Sequence, residues 1–396
     1  MKLSSLLSRF SEPETLKMAK LGRELRAKGV DVIDLSLGEP DFDTPTHIKD
    51  SAKKAVDDNY SHYTPVPGYV DLREAVCVKL KRDNNLDYKP ENIVVSTGAK
   101  QSLANIILAT VDVGDEVIIP APFWVTYSEL VKIAGGVPVI LPTKMENKYK
   151  ITAGELEASI TAKSKVFLFS SPCNPSGAVY TKEELKSLAD VFANHPDIFI
   201  ISDEIYEYIN FVGKHESIAQ FDEIKDRVVI INGLSKGFAM TGYRLGYIAG
   251  APEIVKACEK IQGQITSGAN AVTQRAAITA LTSDLSSSKA MVKEFEQRRN
   301  VILELLKDIP GVCCYEPDGA FYVFPDVSSY FGKSDGTTTV NNSDELCFYI
   351  LEKAHVTTVT GKAFGEDKCI RIAYTNSLPK IREGMQRIKD ALSQLK

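Results

Sequence analysis

Val228-Val-Ile-Ile-Asn-Gly-Leu-Ser-Lys-Gly-Phe-Ala-Met-Thr-Gly-Tyr-Arg244 is the stretch from which the rest of the chain can be read. Its opening run, Val228–Asn232, is apolar almost throughout. That is the pattern of a strand buried on both faces of a mostly parallel sheet. Small residues then end the strand and surround one lysine, Lys236, with Arg244 eight residues beyond it. Most lysines are solvated surface charges. One placed at the carboxyl end of a buried strand sits where α/β folds gather reactive groups. There a lysine can form a Schiff base with a carbonyl, which an arginine cannot.

Working outward, six more apolar runs share this character: Ile93–Ser96, Glu116–Pro120, Val137–Leu141, Val166–Ser170, Ile198–Ser202 and Gly246–Gly250. Helical patterns separate most of them. The expected fold class is α/β, a seven-stranded mostly parallel sheet with helices on both faces. After Pro252 the pattern changes. Helical periodicity covers Glu253–Leu281 and Ser286–Lys307. Short strands are expected at Cys313–Tyr315 and Ala320–Phe324, about a Pro-Asp-Gly turn, and a polar surface loop at Phe331–Ser343. Helix Asp344–Ala354, strands Val356–Thr360 and Cys369–Tyr374, and helix Leu378–Leu395 complete an α+β unit. Toward the N-terminus the pattern predicts a helix from about Glu12 to Lys28, a strand at Val32–Ser36, a helix over Thr46–Asp58, an irregular stretch to Gly68, and a helix over Asp71–Asn84 with Asp71 as its cap. The Val32 strand has no partner nearby in sequence, so it is expected to join the C-terminal unit. This divides the chain into a large domain, 46–285, and a small domain made from both ends, 1–45 and 286–396.

The composition is that of a soluble globular chain: 396 residues, 44% apolar, 25% charged, with a formal charge of −5. No basic block suggests nucleic acid, and no apolar run has the length of a membrane span. The seven cysteines are scattered without metal-ligand spacing, so no metal is expected and the thiols read as reduced, in a cytoplasmic protein. The opening Met1–Phe10 is basic but lacks the apolar core of a signal peptide.

Five features converge on Lys236. Ser96-Thr-Gly-Ala-Lys-Gln follows a strand and opens a helix, so Gly98 allows a turn whose amides at Ala99 and Lys100 can face an anion. Ser235 and Arg244 can add a hydroxyl and a charge at the same anion. Asp203 ends a fully apolar strand, a costly position for a carboxylate unless it is paired. A protonated pyridine nitrogen is a suitable partner, with Tyr206 three residues on. Asn174, in Ser170-Ser-Pro-Cys-Asn-Pro-Ser-Gly177, ends another strand. Trp124, the single tryptophan, follows a fourth and can stack on a flat ring. Arg371 lies inside an apolar strand and calls for a carboxylate. Taken alone, each has an ordinary structural explanation: turn, cap, core packing or ion pair. An amide, an acid and a lysine at three successive strand ends do not share one. Together they point to pyridoxal phosphate held by Lys236.

These motifs resemble the class I, fold-type I pyridoxal-phosphate aminotransferases. The resemblance rests on Asn174-Pro-x-Gly177, Asp203-Glu-x-Tyr206, Ser235-Lys236 with Arg244, and Arg371. Gly38-Glu-Pro-Asp-Phe-Asp-Thr-Pro45 and Gly98-Ala-Lys-Gln101 are similar to the prokaryotic class Ib aspartate aminotransferases. The resemblance implies the following roles. Lys236 carries the cofactor and moves the proton. Asp203 holds the ring nitrogen, with Tyr206 and Asn174 on the ring oxygen. Gly98, Ala99, Lys100, Ser235 and Arg244 bind phosphate, and Trp124 stacks. Arg371, Gly38, Trp124 and Asn174 hold the substrate carboxylate, and Lys100 serves acidic side chains. Tyr63 reaches the phosphate of a neighbouring subunit in a homodimer with shared active sites. The implied reaction is ping-pong transfer of an amino group from aspartate to 2-oxoglutarate. Aromatic, prephenate or alanine donors, a lyase, or a non-catalytic binding module on the same scaffold are the alternatives. One departure stands out: many relatives have a serine where this chain has Gly233.

Overall fold

The computed structural model describes residues 3–12 and 14–396, with side chains described at all of these except 14–16. Pro13, within the expected first helix, and Met1 and Lys2, within the expected basic opening, lie outside the described residues. Helix α1 (Glu14–Ala27) leads to the two-residue strand β1 (Ile33–Asp34), then α2 (Thr46–Asp57) and α3 (Val70–Asn84). Asp71 does not cap α3. Tyr69 holds that position, and Asp71, in the first turn, pairs instead with Arg275 at 2.6 Å.

Each of the seven apolar runs forms a strand: β2 (Ile93–Ser96), β3 (Glu116–Ala121), β4 (Val137–Pro142), β5 (Ser164–Ser170), β6 (Phe199–Asp203), β7 (Val228–Gly233) and β8 (Gly246–Ala249). They make one sheet in the order β2-β8-β7-β6-β5-β3-β4. Strands β3 to β7 run parallel, and β8 is antiparallel to both its neighbours. Helices α4 (Ala99–Thr110), α5 (Thr126–Ala134), α6 (Ala153–Ser159) and α7 (Lys182–Ala193) fall between them. Successive side chains of a strand point to opposite faces. Val94, Ile201 and Val229 therefore pack against Leu103 and Ile107 of α4, while Val95, Ile200 and Ile230 pack on the side of Leu80 of α3 and Leu188 of α7. Both faces being covered explains the unbroken apolar runs. The exception is β4, where burial on both faces is not found. It is one of the two edge strands, and unlike β2 at the other edge, which is buried, it leaves Val137 and Ile140 47% and 38% exposed.

The expected helix over Glu253–Leu281 is two helices, α8 (Pro252–Ile265) and α9 (Ala271–Thr282), followed by α10 (Ser286–Lys307). Ser267 takes a left-handed conformation (φ 60°), and Asn270 starts the second helix by accepting from the Thr273 amide at 2.9 Å. Beyond α10 come β9 (Tyr322–Val323), β10 (Lys333–Ser334), β11 (Thr339–Val340), α11 (Ser343–Ala354), β12 (Val356–Thr357), β13 (Val359–Thr360), β14 (Ile370–Ala373) and α12 (Leu378–Leu392). Cys313–Tyr315 is not a strand, because β9 pairs with β14 and leaves Cys313 a single bridge to Asp326. The expected loop over Phe331–Ser343 contains the β10–β11 hairpin. The expected strand over Val356–Thr360 divides in two. Strand β12 pairs with β1, and β13 pairs with β14, setting Val359 opposite Arg371. The N-terminal strand therefore does lie in the C-terminal unit, with Ile33 and Leu35 in one core with Phe295, Ile350 and Ile388. All seven cysteines are free. Among the described residues, no helix is long and apolar enough to cross a membrane.

Candidate active site

The carboxyl ends of β5, β6 and β7 open into a cleft that the C-terminal unit closes from above, with a cavity of about 260 Å³. Lys236 lies at its floor, in the loop after β7. Its Nζ donates to the Gly38 carbonyl at 2.7 Å and lies 5.9 Å and 5.7 Å from the ring centres of Tyr206 and Phe321. Burial holds the amine down to about 8. Asp203, the last residue of β6, is buried. It accepts from the Tyr127 hydroxyl at 2.6 Å and the Ile205 amide at 3.2 Å. Burial pushes its carboxyl up to about 6 against the pull of those two donors.

Arg371 enters from β14 and is buried. Its Nη1 donates to Asn174 Oδ1 at 3.0 Å and its Nη2 to the Ser36 carbonyl at 2.5 Å. Nε has no partner. Its guanidinium lies 4.4 Å from the ring centre of Tyr322, whose hydroxyl is 2.8 Å from that of Tyr206. Asn174 therefore spends its amide oxygen on the arginine, and its NH₂ remains available to the cleft.

At the other end of the cleft is the start of α4, whose first amides have no acceptor within the helix. Gly98 turns the chain there at φ 81°. A side chain on it would stand 2.6 Å from Arg244 Nη2, so glycine is what lets the guanidinium close over the helix start. Ser235 is buried beside it. Trp124 lies edge-on to Tyr127, with ring centres 5.7 Å apart. Lys100 Nζ sits 4.9 Å from the Trp124 ring, its affinity for a proton lowered by burial and by Arg244.

The structure thus brings Gly38, Ala99, Lys100, Trp124, Asn174, Asp203, Tyr206, Ser235, Lys236, Arg244 and Arg371 to one cleft, with Gly98 beneath Arg244. Tyr63 is not among them. It is 99% exposed and outside the cleft of its own chain. Ser36, Tyr127 and Tyr322 line the cleft without having been singled out by sequence. At Gly233 a side chain would come within 2.7 Å of the Leu245 carbonyl, so the packing of β8 against β7 leaves no room for a serine.

The model of the class I and II aminotransferases matches residues 30–388. This chain belongs to that family. It is a transaminase. The chain is 44% identical over its whole length to a bifunctional aspartate aminotransferase and glutamate/aspartate-prephenate aminotransferase of Petunia hybrida, of which it covers 83%. It is 42% identical to an aspartate/prephenate aminotransferase of Nitrosomonas europaea, over 99% of this chain and all of that one. Among solved structures, the aspartate aminotransferase from Rhizobium meliloti is 37% identical and superposes with a TM-score of 0.96 over the full length of both chains.

Proposed function

We propose that the chain is a pyridoxal-phosphate-dependent aspartate aminotransferase, exchanging the amino group of L-aspartate for the oxo group of 2-oxoglutarate to give oxaloacetate and L-glutamate. The observation that carries this reading is the convergence of a buried-cleft amine, a buried carboxylate and a buried guanidinium with an unpaired Nε. The donor set fits the cofactor: a lysine for its aldehyde, an acid for its ring nitrogen, and a helix start with Arg244 and Ser235 for its phosphate. When bound, pyridoxal phosphate supplies an electron sink for the pair left at the substrate Cα.

The chain's own residues do the rest. Lys236, held near 8, spends a useful fraction of its time as a neutral amine, the form that bonds a carbonyl and accepts a proton. Nζ is the group that would take the proton from the substrate Cα and deliver it to the cofactor carbon two bonds away, across the nitrogen. Asp203 keeps the ring nitrogen protonated. Asn174 Nδ2 and the Tyr206 hydroxyl would hold the ring oxygen, and Trp124 would pack on the ring face. The α-carboxylate gives Arg371 the acceptor that its Nε lacks, against Gly38 and Asn174. Lys100, at the mouth, takes the second carboxylate of aspartate or glutamate.

The same reading makes residues 46–285 the large domain and residues 1–45 with 286–396 the small one. It pairs two copies so that exposed Tyr63 of one serves the phosphate site of the other, in a cytoplasmic enzyme. Prephenate, expected from the sequence among the donors, carries an oxo group and no amine, so it enters instead as a second amino acceptor, favoured by the names of the relatives from Petunia hybrida and Nitrosomonas europaea. Steady-state kinetics test the aspartate assignment. Aspartate with 2-oxoglutarate should give the parallel reciprocal plots of a ping-pong exchange and exceed phenylalanine and alanine as donor. A preference for either of those would overturn the assignment of Lys100.

A further inference from the structure

The mechanism above assigns no task to Tyr127. This residue stands in the first turn of α5, is 1% exposed, and sends its hydroxyl to Asp203 Oδ2 at 2.6 Å. The ring is fixed edge-on by Trp124. Asp203 Oδ1 receives the Ile205 amide, so each carboxylate oxygen has one donor from the protein and one lone pair left over. We propose that Tyr127 is a positioning residue for the transamination: its hydroxyl holds the Asp203 carboxylate ionised and turned toward the pyridine nitrogen. The inference rests on the pyridoxal-phosphate reading of the cleft.

The surroundings explain why such a donor is needed. Buried without partners, a carboxylate takes up a proton, and a neutral acid cannot hold a pyridinium. The charged or titratable groups facing Asp203 are few. Lys236 approaches from the loop after β7, Cys173 from the segment after β5, and Glu204 and Tyr206 from its own segment. Among these only Lys236 favours the charged form, and its amine is neutral for part of the time and is spent on the cofactor. Burial raises the Asp203 carboxyl, and the Tyr127 hydroxyl is the strongest opposing influence. The Tyr127 phenol is itself held far above its usual range, first by burial and then by the Asp203 charge, so it stays a donor throughout the working pH range.

The test is Tyr127→Phe, which keeps the ring and its packing on Trp124. Two properties of the holoenzyme are read: the pH at which kcat falls on the acid side, and the dissociation constant of pyridoxal phosphate from its visible absorbance. Loss of a hydrogen bond to a charged group should move the acid limb up by about one pH unit and weaken cofactor binding about tenfold. An acid limb and cofactor affinity equal to the wild type's would overturn the inference, because a ring that merely packs leaves both unchanged in the phenylalanine variant. Tyr127→His restores a donor and covers the case in which the phenylalanine variant does not fold. A wild-type acid limb there supports the inference, and an acid limb displaced upward contradicts it. The underlying cofactor reading fails in a different way, by wild-type protein showing no pyridoxal phosphate absorbance at all.

Discussion

Two clusters of buried charge meet at the end of β6, on opposite sides of one strand, and they are built to opposite ends. Asp203 points to the side of α5 and the cleft. Its neighbour Glu204 points to the side of α3, where it is bonded by Ser202 at 3.1 Å and Ser217 at 2.6 Å and lies 3.1 Å from His215. Next to it Lys79 contacts Glu207, and Asn84 bridges the two, accepting from Lys79 at 2.8 Å and donating to Glu207 at 3.0 Å. Carboxylate oxygens of Glu204 and Glu207 and a ring nitrogen of His215 all lie within 4.8 Å of one another. A lysine and a histidine stand in ion-pair contact with the two carboxylates, so this cluster is closed in charge, although Glu204 Oε2, Glu207 Oε1 and both ring nitrogens of His215 make no hydrogen bond. The cleft cluster is open. Its lysine rests on a carbonyl, its aspartate holds lone pairs in reserve, and its arginine keeps an unpaired Nε. Buried charge alone does not mark a site. Buried charge without a counter-charge does.

The comparison can be broken at either cluster. Lys236→Ala should lower turnover by about 10⁴-fold while the melting midpoint holds or rises, since an amine that burial disfavours is removed. Lys79→Met should do the reverse: it leaves Glu207 buried without its cation, costs about 3–5 kcal/mol in urea unfolding, and leaves kcat of the folded enzyme unchanged. A loss of turnover in Lys79→Met without loss of stability would show that the two clusters are not separable. Gly233→Ser probes the wall between β7 and β8. With the Leu245 carbonyl 2.7 Å from the new side chain, it should cost about 1–3 kcal/mol in stability. It should also fail to tighten pyridoxal phosphate, whatever the serine does in other members of the family.

The smallest effect is in pH. Burial alone would lower the His215 pKa, but the Glu204 carboxylate, with Glu207 behind it, reverses this and the net direction is upward. The stabilisation from protonated His215 is then fully present below the unfolded value near 6.5 and is lost as pH rises through the folded value. His215→Gln should flatten that decline, as seen in urea midpoints measured below and above neutral pH.

How much of this was legible in the sequence follows from what burial does to each residue type. Asp203, Asn174 and Lys236 stand out because polar groups at the ends of apolar runs need a reason, and Arg371 because a guanidinium inside an apolar strand is costly. Tyr127 and Tyr322 did not, since a tyrosine among apolar residues raises no such question. Their meaning lies in what the hydroxyl meets, Asp203 and Tyr206, and only the fold brings those together. Lys79 on α3 reads as an ordinary helix charge until α3 is laid on the sheet. The seven strands were visible as apolar runs, but not that β4 is a part-exposed edge while β2, at the other edge, is buried, because the two differ in what covers them rather than in their own residues. The break between α8 and α9 hid in Thr266-Ser-Gly-Ala-Asn270, where one glycine in a helical pattern is tolerated.

The open cluster's claim is that its unmatched groups are those of a pyridoxal-phosphate transaminase for dicarboxylic amino acids. The most direct measurement is the visible absorbance of the purified protein loaded with pyridoxal phosphate, followed through successive additions of aspartate and 2-oxoglutarate. The account predicts a yellow band that aspartate bleaches and 2-oxoglutarate restores, and that is altered in Lys236→Ala. A band indifferent to aspartate, or one that bleaches with release of ammonia and does not return with 2-oxoglutarate, would contradict it.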